Sequence, residues 1–156
     1  MSYGSAEGVA AFVPRFANKS GRFDNVTVPT ADQVDEWRGQ ISAMLDVAMA
    51  TQKLPAPASS ATVISMLDGF VNANTSGLVR GVNGQGRYAE KPTSVDEMLL
   101  SISAAADLWV KQHAGGIGAL SGVDTAEGVG SGAGSRLPTR IDDYTRYRES
   151  GSEYAP

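Results

Sequence analysis

A hydrolytic triad could be written from Ser101, Asp107 and His113, but nothing in their surroundings assembles one. A nucleophilic serine needs a base within hydrogen-bond reach, and no G-x-S-x-G elbow lifts one clear of its backbone. His113 is the only histidine, and there is no cysteine. Thiolate chemistry, disulfides and Cys-ligated metal sites are excluded, and one histidine without cysteine does not suggest zinc. His113 falls near the end of a helical pattern, where a cation suits the helix dipole. Gly81-Val82-Asn83-Gly84-Gln85-Gly86 and Gly116-Ile117-Gly118 have the glycine content of phosphate loops. Both follow helices instead of joining strand to helix, and neither carries the Lys and Ser/Thr that a P-loop needs. Helix caps and linkers explain them. Asp32 and Glu36 stand four apart and could share a cation, but they read as a solvated helix face. The expectation is that catalytic, cofactor-binding and metal-ligating residues are all absent, and that the chain is not an enzyme.

The other chemistry-bearing stretch is the last one. From Arg136 to Pro156, Leu137, Ile141, Tyr144, Tyr147 and Tyr154 are interleaved with Arg140, Arg146, Arg148 and several acids. Tyr and Arg are the residue types that favour protein interfaces. Arg136, Ile141, Tyr144, Arg146, Tyr147, Arg148 and Tyr154 are therefore the candidate partner-binding residues. Arg and Tyr can also hold single-stranded nucleic acid by charge and stacking. Asp142, Asp143 and Glu149 dilute that field, so a protein partner is expected.

Composition fits these readings. The 156 residues are 42% hydrophobic, which suits one domain with a modest core. The net charge is −4, whereas a free-standing nucleic-acid binder is usually basic. No apolar run approaches the ~20 residues of a membrane span. Residues 1–28 lack a basic stretch followed by an apolar one, so no signal peptide is read. The sequons at Asn18, Asn25 and Asn74 are then chance matches.

Four helices are expected to carry the fold. Ser5 caps a short one bearing Val9, Phe12 and Val13, which Pro14 ends or bends. A turn-rich connector follows, with some strand character over 23–28 that is too short to make a sheet. The central helix runs from Pro29 to Lys53. Thr30 is its N-cap, and Gln33 completes a capping box. Val34, Trp37, Ile41, Met44, Leu45 and Ala48 form its apolar face. Gly39 is either a tolerated weak spot in this helix or a point of close approach by another one. Leu54-Pro55-Ala56-Pro57 ends it in a stiff linker.

A further helix starts near Ser59 or Ser60, carries Val63, Ile64, Leu67, Phe70, Val71, Leu78 and Val82, and stops at Asn83-Gly84. The last helix begins at Ser94, with Glu97 closing a second capping box, and buries Met98, Leu99, Ile102, Ala105, Ala106 and Trp109. Gly115-Gly116 is expected to stop it. Residues 116–135 are dominated by Gly, Ser and Ala and cannot bury enough surface to offset their ordering entropy, so a flexible arm is expected there. The expected organisation is a helical domain over 1–115, a linker over 116–135 and an extended docking tail over 136–156.

This order of parts resembles the head–tail connector (adaptor) proteins of long-tailed bacteriophages. The residues that carry the resemblance are SAEGVAAFVPRF, then VTVPTADQVDEWRGQISAMLD, then a helix after a Pro-rich linker and a last helix leading to a polar tail. It spans roughly Ser5 to His113 and includes no invariant functional motif. It implies an all-α fold, a small helical bundle of three main helices plus a short N-terminal one, with a long extended C-terminal arm. It also implies a structural virion protein of the neck, made in the bacterial host cytoplasm, with no cofactor. Such a protein assembles into a homo-oligomeric ring, commonly of twelve copies, beneath the portal. The ring carries a downstream neck or tail protein, and genomic DNA passes through its lumen without sequence-specific binding. Another neck component, such as a tail terminator or minor capsid protein, fits the same pattern. A small bacterial helical adaptor module with a recognition tail is the reading from a different class.

Overall fold

Both expected capping boxes are formed. The Thr30 hydroxyl accepts the Gln33 amide, and Gln33 Oε1 accepts the Thr30 amide at 3.0 Å. The Ser94 hydroxyl and the Glu97 carboxylate exchange the same pair of bonds, each 3.2 Å. These contacts satisfy amides that the first helical turn leaves unpaired. They fix where the apolar stripes of these two helices begin.

The structure is a computed structural model that describes residues 2–84 and 94–122. Among them are four α-helices: α1 (Ala6–Phe12), α2 (Ala31–Thr51), α3 (Ala61–Val82) and α4 (Val95–Leu120). A single 3-10 turn, Pro14–Phe16, follows α1. The described fold is all-helical, as expected. α2 packs against both α3 and α4, while α1 lies mainly on α3. The core they enclose is continuous, with Val34, Ile41, Leu45, Val63, Leu67, Val71, Leu78, Ile102 and Val110 shut away from solvent.

Three details differ from the sequence reading. The first is the end of α4. Gly115 and Gly116 do not stop it; the helix continues to Leu120 and reaches 26 residues. Ile117 is fully buried and Gly118 is buried beside it, so core packing outweighs the weak helix propensity of the glycine pair. The stop is Gly122, whose φ of +69° is the left-handed cap conformation; its amide bonds the Ala119 carbonyl at 3.3 Å. The helical domain therefore extends past residue 115.

The second is residues 23–28, whose strand character is not realised; bends run over 25–29. Asp24 Oδ1 accepts the amides of Val26 and Thr27, both at 2.9 Å, and so takes the donors a ladder would need. Asn18 Nδ2 donates to the other Asp24 oxygen at 2.9 Å. These hydrogen bonds, Asn18 first, hold the Asp24 carboxyl below its ordinary value. The third is which residues line the stripes. Val82 is 39% exposed, with Val79 buried in its place, and Phe12 stands 50% exposed. Trp37 is buried but Trp109 is only half-buried, in a tilted contact with Phe70 at 5.3 Å between ring centres.

At Gly39 a Cβ meets nothing within 4 Å among the described residues, which fits the tolerated weak spot of the two readings.

The joint between α2 and α3 closes through local bonds. Lys53, at φ +57°, takes the left-handed position, and the amides of Lys53 and Leu54 bond the Ala50 and Met49 carbonyls at 3.0 and 2.9 Å. That is a Schellman cap, and Leu54 and Met49, the two positions whose side chains usually meet in it, are both buried in the core.

Candidate interaction surface

Two arrangements stand out once the core is set aside. The first is a strap formed by residues 3–5, which lies across α2 and α3. Tyr3 is fully buried. Its amide donates to Ser42 Oγ at 2.9 Å, its hydroxyl donates to Asp46 Oδ1 at 2.6 Å, and the same hydroxyl accepts the Ala58 amide at 2.9 Å. The Gly4 amide donates to Asp68 Oδ1 at 2.6 Å, the Ser5 amide to Asn72 Oδ1 at 3.0 Å, and Arg38 Nη2 to the Gly4 carbonyl at 2.7 Å. Gly4 sits at φ +73°, where a Cβ would also collide with the Asn72 side chain. Burial, and then the bond to Asp46, push the Tyr3 phenol from 10.0 up to about 12. The phenol therefore stays neutral and keeps donating. This cluster is a polar lock inside the fold; every polar atom of Tyr3 named here points at a protein partner.

The second arrangement faces outward. A groove of about 400 Å³ runs between α2 and α4, lined by Gln40, Ala43, Met44 and Val47 on one side and Ser103 and Asp107 on the other. Val47 is 67% exposed there. On α4, Leu100 and Leu108 are 71% and 57% exposed. They lie two turns apart with Ala104 between, so they share one helix face. Asp107 and Lys111, four residues apart, are the charges along that line. Gln40 Nε2 donates to Glu36 at 3.3 Å, and its Oε1 has no partner among the described residues. This face can bury apolar surface against a partner.

A smaller hollow of about 220 Å³ lies beside the 3-10 turn, lined by Phe12 through Phe16 and Arg80. Arg80 Nη2 already donates to the Phe12 carbonyl at 2.9 Å.

Ser101, Asp107 and His113 all lie on α4 at six-residue steps, each about 9 Å further along the axis and turned to another face. The structure does not bring them together. His113 Nδ1 donates to the Trp109 carbonyl at 2.7 Å, and its ring stacks on the Trp109 indole at 4.5 Å. Asp32 and Glu36 lie on the exposed side of α2. Among the described residues no three His, Cys, Asp or Glu side chains gather as a metal would need, and no helix is long and apolar enough to cross a membrane. The tail candidates Arg136, Ile141, Tyr144, Arg146, Tyr147, Arg148 and Tyr154 lie outside the described residues, as do the linker from 123 onward and the loop from Gln85.

Sequence reasoning missed both arrangements. Tyr3 precedes every periodic segment, so no pattern marks it as core. Leu100 and Leu108 did leave a signal, since two leucines eight apart on the solvent side of an amphipathic helix are surplus to its buried stripe. No protein-family model, no curated protein and no solved structure matches the chain.

Proposed function

We propose that this chain is a structural virion protein, a head–tail connector that forms a ring beneath the portal and extends the DNA channel from capsid to tail. One observation carries the reading. The core of the described residues closes without Val47, Leu100 and Leu108: Val47 lines the α2–α4 groove, and the two leucines stand exposed on α4. Apolar surface left over from a finished core is what an assembly subunit uses to meet its neighbours. The helical architecture in the order that resembles the connector family supports the same reading. So does the acidic balance, because a lumen lined by acids lets DNA slide without sticking.

In this reading residues 136–156 dock on the portal or an adjacent subunit, with Tyr144, Arg146 and Tyr147 as anchors. The helical domain makes the ring and carries the next neck protein. Co-sedimentation with portal particles tests it. The intact chain is expected to attach as a ring of about twelve copies, as in the family it resembles. Deleting 136–156 is expected to leave helicity by circular dichroism unchanged while attachment is lost. Normal attachment after the deletion refutes the docking role of the tail.

A further inference from the structure

We infer that the hollow between the 3-10 turn and the end of α3 is a docking socket for an acidic side chain that a partner protein carries beside an aromatic one. The inference goes beyond the connector reading and does not rest on it, because the hollow belongs to the helical domain alone.

The charges select the occupant. The chain as a whole is acidic, at −4, yet residues 14–22 hold Arg15, Lys19 and Arg22 and no acid. The fold adds Arg80, from the last turn of α3, to this basic stretch. Arg15 and Arg80 both line the hollow, and both are exposed. The bond from Arg80 Nη2 to the Phe12 carbonyl, at 2.9 Å, tethers that guanidinium to the end of α1. Its remaining N–H groups are left for another acceptor. Neither arginine has a carboxylate within ion-pair reach among the described residues, whereas Arg22 has Glu7 at 3.9 Å and Arg38 has Asp35. A guanidinium presents paired N–H groups whose spacing matches a carboxylate, so two of them around one hollow favour an acid over a neutral group.

The walls select the neighbour of that acid. Phe12, Val13, Pro14 and Phe16 supply an apolar lining, and the Phe12 ring stands 50% exposed at it. An aromatic side chain beside the acid can pack on that ring. The volume of about 220 Å³ lies below the about 300–1,000 Å³ of small-molecule sites, so it suits one or two side chains and not a nucleotide or cofactor. A nucleic-acid strand carries a charge on every residue and needs a basic field longer than one hollow, which the net charge of −4 opposes.

An NMR titration of the full, isotope-labelled chain tests this, with a blocked peptide that has one glutamate beside one phenylalanine. Shifts are expected at the amides of Phe12, Val13, Arg15 and Phe16 and at the Arg80 side chain. Replacing the peptide's glutamate by glutamine, or Arg15→Gln in the protein, is expected to weaken binding by about tenfold. Arg15 is exposed, so that variant is expected to keep its helicity. Lys19→Gln removes the same charge outside the hollow and is expected to change affinity by less than about twofold. An absence of shifts around the hollow, equal binding of the glutamine peptide, or equal losses in Lys19→Gln and Arg15→Gln overturns the inference. So does a single-stranded oligonucleotide that shifts the same amides at lower concentration. Portal particles take no part in the titration, so its failure and the failure of the connector reading are distinguished.

Discussion

Tyr3 ties the start of the chain to three places at once: α2 through Ser42 and Asp46, the joint through Ala58, and the core through its ring. Replacing it with Phe keeps the ring but leaves the buried Ala58 amide without an acceptor. The expected cost is about 1–3 kcal/mol, measured by urea unfolding. The same phenol gives the fold an alkaline limit. Its folded-state value is raised from 10.0 to about 12, so the neutral form is the one the fold favours. That contribution is intact below pH 10 and is lost as pH rises through about 12. Tyr3→Phe is expected to flatten this part of the stability profile.

At the scale of the element, α4 shows what local propensity can and cannot decide. A Gly-Gly pair reads as a stop, yet Ile117 just beyond it is buried, and the helix follows its anchor to Gly122. Ile117→Ala is expected to cost about 2–5 kcal/mol, where a residue in a free linker would cost nothing. Gly116→Ala, in open space on the exposed side, is expected to stabilise by about 1 kcal/mol. Paired denaturation curves of the two variants check both signs.

The starts of α2 and α4, the end of α3 at Asn83-Gly84 and most of each buried stripe were legible, because caps and periodicity are local signals. The strap was not, since Asp46, Asp68 and Asn72 become its partners only after α2 and α3 lie side by side. The strand character of 23–28 was too short to make a sheet, and one aspartate side chain takes two amides that a ladder would have used. The surface on α4 was half-legible. Its leucines were in view, but whether they were surplus depended on knowing that the core closes without them.

For the molecule as a whole, the strap makes the first residues part of the cooperative unit. Hydrogen exchange is expected to show the amides of Tyr3, Gly4 and Ala58 opening together with the centres of α2 and α3, and not with the exposed turns around Asn18. Early exchange of Tyr3 would mean that its bonds to Ser42 and Asp46 are made only part of the time. The strap also has a mechanical consequence. A pull applied near Tyr3 would not peel α1 away by itself. The tension would spread through Asp46, Asp68 and Asn72 into two long helices at once, so the chain resists load at the end where a small bundle is ordinarily weakest.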